Sequence, residues 1–212
     1  MKKLILVCAM ALASGNAAWA NVIPTGTGIT GSGPYVWTYD LSLASDQNVN
    51  SGTAPTVNPV PRNILGAGGF FTIYDFAGYV GGSCTGPTGW TCTAQDLGFT
   101  PSDVLPNDSA AIVNLTWAYT SGPTLLGQPN GRELGTFSAT SIFNTAAFVS
   151  YAGRGSKNNG NSSGTTTDNV GTTQGPTSVP LPGSLALSAA GLLILGLIRK
   201  VIKPKSELHL PA

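Results

Sequence analysis

The chain has 212 residues, of which 9% are charged, against about 25% in an ordinary soluble domain. Residues 21–180 hold four Lys or Arg and eight Asp or Glu, a net charge of −4. An acidic body argues against nucleic-acid binding, which needs clustered Lys and Arg against the phosphates. Gly, Ser, Thr, Asn and Pro replace the missing charges, as is typical of an extracellular β-rich domain with many turns.

The first 20 residues have the pattern of a secretory signal peptide. Two N-terminal lysines precede the apolar run 4–13, and Ala18 and Ala20 complete an A-x-A cleavage box. Cleavage there makes Asn21 the first residue of the mature chain. The alternative is a buried N-terminal helix, but the charged, apolar and cleavage segments occur in the order that export requires.

Five segments alternate in polarity as half-buried β-strands do. Turns rich in Gly and Pro separate them. The pattern predicts an all-β domain over residues 21–152, an antiparallel β-sandwich of the jelly-roll or immunoglobulin-like kind. In chain order the segments read PYVWTYDLSLA (34–44), GFFTIYDFAGYV (69–80), AAIVNLTWAYTS (110–121), ELGTFSATSIF (133–143) and AAFVSYAG (146–153).

Cys84 and Cys92 are the cysteines that remain after signal removal. An exported chain meets an oxidising compartment, so the two are expected to form a disulfide across the loop CTGPTGWTC. Closing a loop of this length stabilises the fold by about 2.6 kcal/mol. The alternative is a metal or redox pair, but metal sites need CxxC-type spacing and further ligands.

Residues 153–178 read GRGSKNNGNSSGTTTDNVGTTQGPTS, in which Val170 is the one strongly apolar residue. This composition predicts a flexible linker between the body and the C-terminal segment. The alternative is an ordered edge strand around TTTDNVGTT, residues 165–173.

The C-terminal segment 179–205 has three parts. It opens with the proline motif Val179-Pro180-Leu181-Pro182, and residues 183–198 follow without a charge. A membrane span needs about 20 residues, so this run is near the lower limit. The cations of the basic flank that closes it are Arg199, Lys200, Lys203 and Lys205. The order predicts a single transmembrane helix that holds the body outside the inner membrane, with 206–212 as a short tail.

This tripartite tail resembles the PEP-CTERM sorting signal of Gram-negative bacteria, in its VPLPA variant. Leu181 stands where the commonest version has Glu, and Gly183 stands where that variant has Ala. The resemblance covers residues 179–205. It implies an exosortase-type membrane protease that cuts near the proline motif and releases or re-attaches the body. The alternative is an ordinary single-span anchor.

The exported part offers few residues for catalysis. His209, the one histidine of the sequence, lies beyond the basic flank, so the body has no His-dependent triad and no His-ligated metal site. Carboxylates remain, and Asp75 and Glu133 are candidates for a glycosidase pair by elimination. Asp96, Asp103 and Asp108 are candidates for a calcium site, although their spacing matches no EF-hand.

Trp90 follows Gly89 in the cysteine loop and is a candidate for stacking on sugar rings. The sequence as a whole favours a non-enzymatic surface or matrix protein without a cofactor, associated with exopolysaccharide as the resemblance implies. A carbohydrate-binding module and a carboxylate-dependent glycan hydrolase are the alternatives.

Overall fold

The computed structural model describes residues 22–54, 68–101, 104–160 and 163–178. The predicted signal peptide, the proline motif, the apolar run and the basic flank lie outside the described residues, as does Asp103. Within the described ranges, no helix has the length and apolar character that crossing a membrane requires.

The described residues form ten β-strands, and every pairing between them is antiparallel. The predicted all-β antiparallel class is therefore confirmed. The strands are β1 Val22–Thr30, β2 Tyr35–Leu43, β3 Gln47–Val49, β4 Phe70–Ile73, β5 Trp90–Gln95, β6 Asn114–Tyr119, β7 Leu125–Leu126, β8 Arg132–Ser141, β9 Thr145–Lys157 and β10 Thr166–Thr177.

The strands make two sheets. The smaller sheet has the order β1-β2-β8. The larger sheet has the order β5-β6-β4-β9-β3-β7, and β10 pairs with β9 along most of its length. Since a strand has two edges, β3 and β4 share the edge of β9 that β10 leaves open. The long strand β9 therefore joins the last strand of the fold to its centre.

Aromatic side chains from both sheets meet between them. In β2, the alternate residues from Trp37 to Leu43 are fully buried, as the alternation predicts. Tyr39 of the smaller sheet contacts Trp117 of the larger one, with 6.4 Å between ring centroids. Phe137 also contacts Trp117, edge-on at 6.1 Å. Facing sheets with a shared aromatic core form a β-sandwich.

The central strands β4 and β6 are buried on both faces, which is why their sequences do not alternate cleanly. The outer face of β4 lies under a second apolar cluster, in which Phe70 meets Phe99 edge-on at 4.5 Å. Tyr74 belongs to this cluster and donates its hydroxyl hydrogen bond to the Phe99 carbonyl at 2.8 Å. The chain after β5 thus covers the middle of the larger sheet.

Different contacts join the two sheets along the two sides of the sandwich. Along β1 and β10, the Thr27 and Thr173 hydroxyls lie 3.5 Å apart, and Asn169 Nδ2 donates to the Val22 carbonyl at 3.3 Å. On the opposite side, the segment around Thr85 pairs with the free edge of β8. The predicted disulfide between Cys84 and Cys92 is confirmed, and it ties that segment to β5.

The linker predicted over residues 153–178 is wrong. β9 continues to Lys157, and β10 pairs with it from Thr166 to Thr177. The alternative, an ordered edge strand around 165–173, is the one that the structure shows. Such a strand needs little apolar content, because its backbone groups are satisfied by β9 and one of its faces remains exposed. The folded body therefore ends at Thr177 and not at Ala152.

Candidate functional site

A hydrogen-bonded network of two carboxyl groups and one amide lies where β4 ends and β6 begins. Asn114, the first residue of β6, is fully buried. Its Nδ2 donates to Asp108 Oδ1 and to the Asp96 carbonyl, both at 2.9 Å. Its Oδ1 accepts a hydrogen bond of 2.8 Å from the backbone N–H of Asp75. One amide side chain thereby connects the start and the end of the β5–β6 connection to the residue that follows β4.

Asp75 has a left-handed backbone conformation, with φ at 55°. Aspartate adopts this region more readily than bulkier residues, because its short side chain accepts local hydrogen bonds. Here Oδ1 accepts from the Ser109 N–H at 2.9 Å. One residue later the backbone hydrogen-bonds to the residue before β6, because Phe76 N donates to the Val113 carbonyl at 2.8 Å. The bend at Asp75 turns β4 away from the sheet and presents the carboxyl group to residues 108–109.

Asp108 is the second carboxyl group of the network. Its Oδ2 accepts from the Gly98 N–H at 3.1 Å, and its Oδ1 accepts from Asn114 as described. Both oxygens therefore have N–H donors. These contacts fix the loop between β5 and β6 across the end of β4.

Both carboxyl groups hold their protons more tightly than a solvated Asp. Burial raises the pKa of Asp75, and the hydrogen bond from Ser109 N–H opposes this rise. Burial also raises the pKa of Asp108, against the donors Gly98 and Asn114, and the charge of Asp75 raises it further. The two carboxyl groups lie close together, because Asp75 Oδ1 accepts a hydrogen bond from the N–H of Ser109, the residue next to Asp108. The pair was not predicted from the sequence, because the residues are far apart along the chain.

The predicted calcium site is only partly assembled. Asp96 and Asp108 both contact Asn114, but Asp96 does so through its backbone carbonyl. Asp103 lies outside the described residues. In the part of the chain that the structure describes, no three His, Cys, Asp or Glu side chains are grouped to hold a metal ion. The network instead satisfies its carboxylates with N–H donors.

The structure does not bring Asp75 and Glu133 together as an acid pair. Glu133 is exposed and lies eight positions before Ser141 on β8, about 26 Å along the strand. Ser141 Oγ donates to the Ala77 carbonyl at 2.7 Å, two residues after Asp75. Asp75 and Glu133 therefore lie at opposite ends of the sandwich. Glycosidases hold their two carboxyl groups about 5–10 Å apart, a separation that this pair does not approach.

Trp90 is half-buried as the first residue of β5, and part of its ring packs on the core. Its ring meets Phe137 edge-on at 4.9 Å and Tyr119 at 5.4 Å. These contacts occupy much of the surface that a stacked sugar needs. Trp90 therefore stabilises the junction between the two sheets beside the disulfide.

A cleft of about 570 Å³ opens at the end of the sandwich where β2 turns into β3. Its walls are the segments 42–46 and 129–131, together with Ile23. Its polar residues are Ser42, Ser45, Asp46 and Asn130. In the sequence, Pro129-Asn130-Gly131 signals a turn, but no pattern shows that this turn would face the β2–β3 connection.

Comparisons with protein-family models, with curated proteins and with solved structures find no match to this chain.

Proposed function

We propose that this protein is an exported surface or matrix protein, whose β-sandwich is delivered by the N-terminal signal and sorted by the C-terminal tail. The observation that carries the proposal is the position of the folded body between the two signals. β1 begins at Val22, directly after the predicted cleavage at Asn21, and β10 ends at Thr177, two residues before Val179. The sandwich fills the interval that the two processing signals define.

The disulfide supports export. Cys84 and Cys92 join two parts of the body across an open side of the sandwich, and such bonds persist in oxidising compartments. The proposed route places the body outside the inner membrane while residues 183–198 hold it there. An exosortase-type protease then cuts near Pro182, and the body reaches the cell surface or the matrix, beside exopolysaccharide. Within the β-sandwich class, the jelly-roll or immunoglobulin-like topology stays a prediction.

Processing of the tail tests the proposal. The full chain, with an epitope after Ala212, is expressed in a Gram-negative host with and without an exosortase. We expect the mature chain to begin at Asn21, and to lose the epitope by cleavage near Pro182 only when the protease is present. Intact mass of the mature protein measures both ends.

A double variant, Pro180→Ala with Pro182→Ala, should retain the epitope in the presence of the protease. Pro129→Ala is the matched control, because Pro129 is an exposed proline in a turn of the body. An intact C-terminus on the mature surface protein in the exosortase host would refute the sorting proposal and favour a permanent anchor.

Carbohydrate binding is the second candidate function. The cleft between segments 42–46 and 129–131 is a better candidate for the binding site than Trp90 is. The volume of the cleft lies within the range of ligand pockets, and Asp46 and Asn130 offer polar atoms for sugar hydroxyls. A glycan array with the body, residues 21–178, tests this. Binding that Asn130→Ala weakens and Trp90→Ala leaves intact would assign the cleft, and the absence of binding would remove this candidate.

A further inference from the structure

The last strand of the fold has an edge with which no described strand pairs. β10 is 12 residues long and pairs with β9 on one side. Among the described residues, no backbone hydrogen bond joins its other side to a further strand. Such an edge presents a row of backbone N–H and C=O groups, which is a template for pairing with another chain.

The register shows which residues of β10 present these groups. Lys157 N donates to the Thr165 carbonyl at 2.9 Å, so the hydrogen-bonded pairs between β9 and β10 fall on odd-numbered residues. On the opposite edge of β9, the carbonyl of the even-numbered Ser150 accepts from Tyr74 N at 3.0 Å, which agrees with this alternation. The even-numbered residues of β10 therefore direct their backbone groups away from β9. They form what is named the β10 edge: Thr166, Asp168, Val170, Thr172, Gln174 and Pro176.

The β10 edge lacks the features that usually prevent strand pairing, which are prolines, bulges and exposed charges. Its register with β9 has no shift, and its one proline, Pro176, stands next to the last residue of the strand. Its one charged side chain, Asp168, is almost fully buried against Arg154. β1 differs, because Pro24 and a register shift interrupt that strand. β5, at the end of the larger sheet, is half as long as β10.

A second copy of this chain fits the β10 edge. Two identical strands pair antiparallel about a twofold axis, and placing the axis at Val170 sets Val170 opposite Val170 of the second copy. The other facing pairs are then Asp168 with Thr172 and Thr166 with Gln174. Every N–H of these residues meets a carbonyl, which gives about ten backbone hydrogen bonds. No charge faces a like charge, and the central pair buries a valine that is 44% exposed in one copy.

We propose that this protein forms a homodimer through the β10 edge, with Val170 on the twofold axis and the larger sheets of the two copies joined into one. A pairing of this kind is closed, so it produces dimers and not fibres. The inference goes beyond the proposed function and uses the described strands alone, so it does not depend on how the tail is processed. In a matrix protein, the pairing links two bodies without a further partner.

Disulfide trapping tests the pairing and its register. The mature chain, residues 21–212, is purified in detergent with one added cysteine, oxidised and separated without reductant. Val170→Cys should form a covalent dimer, because Cα atoms in a hydrogen-bonded pair lie about 5.5 Å apart, within the range of a disulfide. Thr172→Cys is the matched control on the same edge, since position 172 of the second copy lies four positions away, about 13 Å along the strand.

We expect several-fold more covalent dimer from Val170→Cys than from Thr172→Cys. Thr166→Cys and Gln174→Cys should cross-link when the two variants are mixed and not when each is alone. Equal cross-linking at 170 and 172, or none at either, would overturn the proposal.

Native mass spectrometry of variants without an added cysteine gives a second measurement. Val170→Lys should abolish the dimer, because two ammonium groups would face each other across the axis. Leu126→Lys is the matched control, on a residue of β7 that is 57% exposed, and it should leave the dimer intact. A monomeric wild-type chain would refute the pairing. A dimer that survives Val170→Lys would assign the contact to another part of the chain and refute it as well.

Discussion

Arg154 and Asp168 face each other across β9 and β10, and both side chains are almost fully buried. Arg154 Nε donates to Asp168 Oδ1 at 2.6 Å, and Nη2 donates to Oδ2 at 3.0 Å. The guanidinium also lies over the rings of Phe70 and Phe99, with its Cζ 5.4 and 5.7 Å from their centroids. The pair fixes the register of the strand that leads into the C-terminal segment.

Removing one partner of this pair should destabilise the body strongly. Asp168→Ala leaves the Arg154 guanidinium buried without its carboxylate, a change that costs about 3–5 kcal/mol. Replacing both residues at once, with Arg154→Met and Asp168→Leu, should cost much less, because no uncompensated charge remains. Urea unfolding of the body, residues 21–178, measures the free energies of unfolding.

Glu133→Ala is the control for removing a carboxylate, because Glu133 is exposed on β8, and its effect should stay within about 0.5 kcal/mol. A double variant as unstable as Asp168→Ala would show that packing around Phe70 and Phe99, and not the buried charge, sets the cost.

The disulfide should contribute stability chiefly by closing the loop between Cys84 and Cys92. Replacing both with Ser is expected to lower the free energy of unfolding by about 2.6 kcal/mol. Both residues also pack against the core, so the loss should not be smaller than this loop-closure value. Urea unfolding of wild type and the double Ser variant gives the difference. Equal midpoints would contradict a structural role for the bond.

The pair Asp75 and Asp108 should make stability fall as the pH rises. Burial raises both pKa values above the ordinary value of 3.8, so the folded state binds protons that the unfolded state has released. The contribution of the pair is therefore fully present below pH 3.8 and is lost as the pH rises through the folded pKa values. The measurement is the free energy of unfolding as a function of pH.

Asp75→Asn should flatten this slope, because it removes one titrating group and the charge that raises the pKa of Asp108. The variant keeps an oxygen for the Ser109 N–H, so the network can persist. Asp40→Asn is the control, on an exposed carboxylate that accepts from Thr136 Oγ1. A difference curve between wild type and Asp75→Asn that does not change from pH 4 to pH 7 would contradict the assignment.

Sequence reasoning predicted the parts of the fold that alternation determines. The inward face of β2, from Trp37 to Leu43, was visible because each buried residue alternates with a polar one. The carboxyl pair was not visible, because Asp75 and Asp108 are brought together by contacts with Asn114 and Ser109 and by the bend at φ 55°. Residue type carries no information on distance. Asp75 and Glu133, paired because both are carboxylic acids, therefore proved to lie at opposite ends of the sandwich.

The misassigned linker has a similar cause. β1 and β10 are polar edge strands, and their stability comes from backbone pairing. This pairing leaves no alternating apolar pattern from which the strands could be predicted. Gly171 and Gly175 belong to the segment 153–178, whose composition predicted a flexible linker. In the structure each lies against a side chain of β9, Tyr151 and Val149, which leaves no space for a Cβ atom. These glycines are packing positions.

Gly171→Ala should therefore destabilise the body, although alanine usually stabilises a flexible segment. A Cβ at position 171 would lie 2.7 Å from the Tyr151 ring, so either the ring or β10 must move, at a cost of about 1–3 kcal/mol. Gly81→Ala is the matched control, because a Cβ there meets nothing within 4 Å. Urea unfolding gives both values, and amide hydrogen exchange along residues 166–177 shows whether β10 loosens. If Gly171→Ala were as stable as Gly81→Ala, with unchanged exchange, β10 would not be packed on β9 as described. The case for a body that ends rigidly at Thr177, two residues before the sorting motif, would then be lost.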